Sequence, residues 1–188
     1  MNNIVRIFIV GIAITGIITG CESGPPPPTE STAYGNLISN SSFEINGAPS
    51  LQGWVASDTS LVHFSTDVPP GGGSYSVVVQ PGINPIEGAV YTTVGALAGT
   101  HAYRISVWAK TVQWAGDVYI DHLKLNPPAQ PVLIPGPIIQ DTLWTQYTAT
   151  DTITANAGDS LTIGLESGSG NAPASKIYFD LCMFTPLN

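Results

Sequence analysis

Short runs of β-branched, aromatic and aliphatic residues recur beyond residue 35, separated by clusters of Gly, Pro, Asn and Asp. No window repeats apolar residues at spacings of three and four, so no amphipathic helix is expected. Turn-forming residues between short apolar runs predict antiparallel strands. The predicted strands are Leu37–Ile45, Ser60–Thr66, Ser74–Gln80, Ala89–Val94, Ala102–Thr111, Val118–Leu125, Thr145–Thr152, Ser160–Glu166 and Lys176–Phe184. Their number and spacing predict an all-β sandwich or barrel.

The strand that begins at Ala102 alternates between apolar and polar positions. The face expected to meet the core carries Tyr103, Ile105, Val107 and Ala109. The face expected to meet solvent carries Arg104, Ser106, Trp108 and Lys110.

The last strand is apolar on both faces, which predicts a central position covered on both sides. Strict alternation assigns to one face Tyr178, Asp180, Cys182 and Phe184. The opposite face then carries Ile177, Phe179, Leu181 and Met183. A carboxylate at Asp180 among such neighbours needs a partner.

The N-terminus has an early positive charge, an apolar run and the tetrapeptide Ile18-Thr19-Gly20-Cys21. The run is too short and interrupted for a membrane span and is typical of a secretory signal. Its ending resembles the lipobox of bacterial lipoproteins, in which the cut precedes the Cys and the thiol is lipidated. We therefore expect a signal peptide over residues 1–20 and a lipidated Cys21.

Residues 21–35 contain four consecutive prolines, which favour a semi-rigid extended tether. Residues 36–188 are of a size for one domain. The predicted location is the bacterial cell envelope, outside the cytoplasm, with the inner and outer membranes as alternatives.

Five basic residues face thirteen acidic ones, and the net charge is -8. This balance argues against nucleic-acid binding, which needs a basic surface. Beyond Cys21 the only cysteine is Cys182, which excludes an intramolecular disulfide and a cysteine-based zinc site.

Five segments in this order resemble carbohydrate-binding modules of the family 4/9/22 type. They are Asn36–Glu44 with Gly53-Trp54, Gly73–Val79, Tyr103–Lys110, Trp144–Thr148 and Ile177–Asp180. The resemblance covers nearly all of residues 36–188 and implies a galactose-binding-like β-sandwich jelly roll. Two departures weaken the transfer of ligand specificity: Leu181 stands where those modules usually have a second acidic residue, and the segment 126–140 is long and Pro-rich.

The resemblance implies a structural calcium held by Glu44 and Asp180, with backbone oxygens from the Gly71–Ser74 loop. The alternative is an Asp180 that is hydrogen-bonded to the backbone without metal. Calcium would stabilise the fold and take no part in chemistry.

Sugar rings stack on aromatic side chains while their hydroxyls need polar partners. Trp108, with Arg104 and Lys110 on the same strand face, fits this requirement. The further candidates for ligand binding are Trp114 and Tyr119, which flank a Gly116-Asp117 turn and could form a platform on a loop, and His122 on a neighbouring strand. We expect Trp54 and Trp144 in the core.

The insert 126–140 holds five aliphatic residues among prolines. Proline disfavours an internal strand, so the insert is interpreted as a loop that either caps the sandwich or meets a protein partner.

The sequence shows no catalytic motif, and an enzyme is not expected. The first hypothesis is a non-catalytic, membrane-anchored glycan-binding lipoprotein. The second is a structural or assembly lipoprotein that docks proteins, and a third is a glycan-active hydrolase. An exposed Trp108 favours sugar, and a covered Trp108 with an exposed Val132–Ile139 favours a protein partner.

Overall fold

The computed structural model describes residues 35–82, 88–113, 115–124, 130–168 and 174–187. The strands are β1 Glu44–Ile45, β2 Ala48–Pro49, β3 Val55–Ala56, β4 Val62–Ser65, β5 Ser76–Val79, β6 Ala89–Gly95, β7 Gly99–Val112, β8 Gly116–Leu123, β9 Val132–Ile139, β10 Thr145–Ala155, β11 Ser160–Ser167 and β12 Lys176–Leu187. Within those ranges no helix has the length and apolarity needed to cross a membrane. The predicted leader, Cys21 and Trp114 lie outside the described residues.

Ten of the strands form two five-stranded antiparallel sheets. The back sheet has the order β10-β7-β12-β5-β4, and the front sheet has the order β3-β6-β11-β8-β9. Consecutive strands such as β7 and β8 lie in different sheets, so the chain crosses between layers as it does in a jelly roll. The predicted all-β sandwich is confirmed.

The core lies between the inner faces of the two sheets. Val77, Val79 and Val107 of the back sheet are fully buried, as are Leu161 and Ile163 of the front sheet. The rings of Tyr103 and Phe184 stack within this core at a centroid distance of 5.1 Å. These residues are the inward positions of the period-two pattern, because alternate side chains of a strand leave opposite faces of its sheet.

The predicted strands from Ser60 onward are present, with bounds close to those expected. The first predicted strand, Leu37–Ile45, is wrong, because only the short β1–β2 ribbon forms there. Phe43 and Asn46 adopt φ angles of 55° and 53°, which break an extended strand. The insert 126–140 contains β9, which was expected to be a loop. Its prolines are tolerated because β9 is the outermost strand of its sheet.

The central position of β12 is confirmed, since it lies between β7 and β5. The predicted strict alternation of its side chains between the two faces is wrong beyond Asp180. Leu181 adopts a φ of 48°, and the pairing register with β7 shifts between Asp180 and Met183. This bulge turns Cys182 and Phe184 into the core, on the same side as Phe179.

Candidate functional site

The residues predicted to bind sugar do not form one cluster. Arg104, Trp108 and Lys110 lie on β7 in the back sheet, whereas Tyr119 and His122 lie on β8 in the front sheet. The expectation that β8 is a neighbour of β7 is wrong, because the chain changes sheets after β7.

Trp108 is covered, so the prediction that it faces solvent is wrong. It is 3% exposed, and its Nε1 has no hydrogen-bond partner among the described residues. The alternation is correct, since Trp108 pairs with Asp180 on the outer side of the sheet. Two contacts place the loop after β4 on this side of the sheet, Asp67 with Lys110 and Gly72 with Asp180, and this position accounts for the burial of Trp108. A buried indole cannot serve as a stacking platform.

Lys110 belongs to a cluster that fastens this covering loop. Its Nζ forms an ion pair with Asp67 and lies 5.2 Å from the ring centroid of Trp144 and 4.9 Å from that of Tyr178. The indole of Trp144 donates to Asp67 Oδ1 at 2.9 Å. Trp144 is half-buried just before edge strand β10, so its predicted core position is wrong. Trp54 is buried, as expected, and Arg104 is exposed.

His122 is also buried, and the expectation that it contacts ligand is contradicted by its position. It pairs with Leu161 on the inner side of the front sheet. Its Nε2 lies 3.1 Å from Asp159 Oδ2, which also accepts a hydrogen bond from the Asn156 backbone at 2.9 Å. His122 therefore secures the β10–β11 turn.

Of the aromatic candidates that the structure describes, only Tyr119 reaches an open surface, the outer side of the front sheet, called here the front face. Strand pairing aligns a row of residues across all five strands of this face. The row consists of Val55, Tyr91, Gly164, Tyr119 and Pro135. A parallel row on one side of it consists of Thr93, Thr162, Asp121 and Leu133. A parallel row on the other side contains Glu166, Asp117 and Ile138.

The ring of Tyr119 lies across Gly164, where a side chain would occupy the same space. Beside it is a shallow cavity of about 360 Å³. Its lining consists of Asp117, Tyr119, Asp121, Leu133 and Glu166. Burial, followed by the negative charges of Glu166 and Asp121, raises the pKa of Tyr119, so the phenol remains a hydrogen-bond donor at neutral pH.

The front face combines the groups that a sugar requires. The Tyr119 ring offers an apolar surface, and three carboxylates offer charged hydrogen-bond acceptors for hydroxyls. At the edges, Val55, Leu133 and Ile138 are 52%, 61% and 61% exposed. No Lys, Arg or His is among the described residues that line the cavity.

Sequence reasoning missed Tyr91 and Glu166 on this face. The outward positions of β6 and β11 follow a period of two, with Tyr91 and Thr93 on one strand and Thr162, Gly164 and Glu166 on the other. That alternation could have identified them, but only the strand pairing shows that they lie beside Tyr119.

The structure brings Glu44 and Asp180 to the same glycine loop. Glu44 Oε2 accepts hydrogen bonds from the Ser74 and Tyr75 backbones at 2.8 and 3.1 Å. Asp180 is fully buried; its Oδ1 accepts from the Leu181 backbone, and its Oδ2 has no partner among the described residues. A Cβ on Gly72 would lie 2.6 Å from Asp180 Oδ2.

This arrangement fits a hard cation. Burial, with the charge of Glu44 acting in the same direction, raises the pKa of Asp180 to about 7 against the hydrogen bond from Leu181. A cation would neutralise both carboxylates and satisfy the orphaned oxygen. No group of three or more His, Cys, Asp or Glu side chains in the described ranges could hold a metal, so backbone oxygens would have to complete the coordination.

A family model described as "Carbohydrate binding domain" matches residues 35–176. None of the curated proteins compared matches the chain. Three similar solved structures share the fold. Family 16 Carbohydrate Binding Module-2 is 21% identical with a TM-score of 0.60, over 80% of this chain and 99% of that one. The CBM22-1 xylan-binding domain of Paenibacillus barcinonensis Xyn10C is 17% identical with a TM-score of 0.56, over 84% and 98%.

The third structure is the enzymatically active domain of bacteriophage CBA120 tailspike protein 4. It is 18% identical with a TM-score of 0.61 over 81% of this chain. The match spans only 21% of the tailspike chain.

Proposed function

Because the chain belongs to the carbohydrate-binding domain family whose model matches residues 35–176, we propose that it is a non-catalytic glycan-binding protein whose ligand lies on the front face. The glycan would stack on Tyr119, with Tyr91 in the same row and hydroxyls held by Asp117, Asp121 and Glu166.

The observation that carries this proposal is the position of Tyr119 over Gly164. The absence of a side chain at Gly164 leaves room for the Tyr119 ring over β11, so an aromatic side chain that can act as a platform lies in the middle of the five-stranded face. Three carboxylates line the cavity beside that platform, the hydroxyls of Thr93 and Thr162 lie in the next row, and apolar residues form the edges of the face. A small number of placed polar groups around an apolar surface is the usual composition of a ligand site.

The charge of the cavity suggests the ligand class. Its lining holds three acidic side chains, and the whole chain carries a net charge of -8. Uronate and sulfate groups would be repelled, so we propose a neutral polysaccharide. The similar xylan-binding domain supports this class through its fold alone.

A polysaccharide panel tests the proposal. The full chain, held in a detergent without a sugar headgroup, is measured against neutral xylan, galactan, mannan and β-glucans with calcium present. Tyr119→Ala should abolish or weaken any interaction at least about tenfold, or about 1.4 kcal/mol. Tyr178→Ala, a matched tyrosine on the back sheet, should leave it unchanged. Binding that survives Tyr119→Ala would place the site elsewhere, and silence across the panel would contradict the function.

The membrane anchor is the second part of the proposal. A lipidated Cys21 followed by a Pro-rich tether would hold the domain outside the cytoplasm at the bacterial envelope. Labelling of cells with a radioactive fatty acid should mark the wild-type protein, whereas Cys21→Ser should remove the label and release the protein from the membrane fraction. A labelled Cys21→Ser variant would exclude this anchor.

Calcium is the third part. Glu44 and Asp180 would hold the ion together with backbone oxygens of the Gly72–Gly73 loop. The ion would join the loop that covers Trp108 to the central strand β12, and its role would be stability.

One observation favours a second candidate function, protein docking. Trp108 is covered, and Val132, Leu133 and Ile138 of β9 are 45%, 61% and 61% exposed, the combination expected of a protein-binding lipoprotein. Leu133 also lines the front-face cavity, which connects these residues to the glycan site. Leu133→Ser should weaken polysaccharide binding under the first function, whereas under the second function the wild-type chain should bind no polysaccharide that the substitution could affect. Release of reducing ends from a bound polysaccharide would instead favour a hydrolase.

A further inference from the structure

A second cavity lies at the end of the sandwich, where β7 and β9 end and β8 begins. It has a volume of about 440 Å³ and is lined by Thr111, Gln113, Ala115, Gln140 and Thr142. This size is within the range of about 300–1,000 Å³ that small-molecule sites occupy. We call it the end pocket, and it shares no lining residue with the front-face cavity.

The chemistry of the end pocket is neutral and polar. Among the described lining residues there are two carboxamides and two threonines, and no charged side chain. A carboxamide presents both hydrogen-bond donors and an acceptor, as does a hydroxyl. Neither Gln113 nor Gln140 has a side-chain hydrogen bond to another described residue. Such a lining complements a ligand with adjacent hydroxyls and no charge.

The walls of the end pocket are held in place before any ligand arrives. The Thr111 backbone donates to the Asp141 carbonyl at 2.8 Å, which joins the end of β7 to the segment after β9. The Tyr147 hydroxyl accepts from the Gln140 and Asp141 backbones and donates to Asp141 Oδ2 at 2.7 Å. Because a rigid site loses little entropy when a ligand binds, these bonds favour recognition.

Two further features lie at or next to the lining residues. Gln113 adopts a φ of 74°, a sparsely populated conformation for a residue other than glycine. Leu143 and Val112, which follow Thr142 and Thr111 in sequence, are 77% and 41% exposed. Exposed apolar side chains next in sequence to two lining residues, together with the two carboxamides of the lining, suit a sugar ring, which has apolar C–H faces and polar edges.

We propose that the end pocket is a second saccharide site, which binds one unit of a neutral sugar through Gln113 and Gln140. Binding at the end pocket depends on the residues that line it and not on the front face. A domain with both sites could bridge neighbouring glycan chains. Experiments can therefore contradict the front-face proposal and the end-pocket proposal independently of each other.

Side-chain carboxamide signals in the NMR spectrum of the full chain test this proposal. The probes are xylose, glucose, galactose and mannose, together with xylohexaose and β-1,4-galactotriose. At least one of them should shift the carboxamide signals of both Gln113 and Gln140, and should do so equally in the Tyr119→Ala background. If none of the six shifts these signals, the proposal is overturned, whatever happens at the front face.

Affinity provides the second readout. In the Tyr119→Ala background, Gln113→Ala combined with Gln140→Ala should weaken binding of the responsive sugar about tenfold. Gln52→Ala, a matched exposed glutamine near β3, should have no effect. Unchanged affinity in the double variant would overturn the assignment, and a shared loss with Gln52→Ala would show that the effect is not specific to the pocket.

Discussion

A Cβ atom built on Gly164 would lie 2.0 Å from Cζ of Tyr119, on the next strand of the front sheet. Glycine at this position is therefore what allows the ring to occupy the space over this strand. Because the conflict involves the far end of a side chain that can rotate, Gly164→Ala should move the ring rather than unfold the sheet.

We predict that Gly164→Ala weakens polysaccharide binding roughly tenfold, or about 1.4 kcal/mol, with the fold intact. Affinity electrophoresis against the best-bound neutral polysaccharide measures the change, and circular dichroism checks the fold. Gly95→Ala is the matched control on β6, because a Cβ there meets nothing within 4 Å. Equal affinity of the Gly164→Ala and Gly95→Ala variants would show that the position of the ring over Gly164 is not needed.

The acidic lining predicts discrimination by charge. Wild-type protein should bind a neutral galactan in preference to polygalacturonate, and the difference should shrink as salt screens the carboxylates. Asp121→Asn combined with Glu166→Gln should narrow this preference, whereas Asp151→Asn, an exposed acid on β10, should not. Equal binding of both polymers by the wild type at low salt would be evidence against a front-face site.

The calcium proposal predicts that wild-type protein is the more stable in calcium, and that Asp180→Asn is equally or more stable in chelator. With calcium at about 100 times its dissociation constant, wild-type protein should gain about 2.7 kcal/mol in the free energy of unfolding. Asp180→Asn should gain much less. In chelator at pH 8, the same substitution should be neutral or stabilising, because it removes a buried charge that nothing balances. Chemical denaturation measures both, and a calcium gain preserved in Asp180→Asn would refute the site.

The carboxyl group of Asp180 also determines how the free energy of unfolding depends on pH when a chelator removes calcium. The folded-state pKa of Asp180 is about 7, above the ordinary value of 3.8, so the folded state holds its proton more tightly than the unfolded state. The free energy of unfolding should therefore decrease as the pH rises from about 4 to 7. Asp180→Asn should flatten this segment of the profile.

The cover over Trp108 should weaken at acid pH. The hydrogen bond from Lys110 is the main cause that lowers the pKa of Asp67 in the folded state. The ionised carboxylate therefore stabilises the fold at pH values above its ordinary pKa of 3.8. This contribution to the free energy of unfolding is lost as the pH falls through the lower, folded-state pKa. Asp67 is about half exposed, which limits the effect to about 1 kcal/mol or less. Asp67→Asn should reduce stability at pH 6 and change it little at pH 2, as followed by urea unfolding. An equal loss at both values would assign the effect to packing.

Most of the fold follows from local patterns. The alternation around Ala102 and the apolar character of both faces of β12 are visible in the sequence because side chains alternate across a strand. The bulge at Leu181 is not visible, because it depends on a single backbone angle and reverses the inward and outward positions that follow. β9 was missed because proline disfavours strands, and only its edge position makes them acceptable.

The candidate site was harder to predict, because it depends on which strands are neighbours. Trp108 was correctly assigned to the outer side of its sheet, but the loop that covers it comes from residues about forty positions earlier in the chain. Tyr119 was selected as an aromatic beside a predicted turn, but it lies within β8. Gly164 and Glu166 become meaningful only when β11 is paired with β8. Glu44 and Asp180 were found through the family resemblance, which carries long-range information that alternation does not.

The most direct test of the central claim is a map of backbone amide shifts in the full chain upon titration with xylohexaose, or with whichever neutral oligosaccharide of the panel binds best. The account predicts shifts along β6, β11 and β8, centred on Tyr91, Gly164 and Tyr119. Shifts confined to the back sheet around Trp144 and Tyr178, with a silent front face, would contradict it.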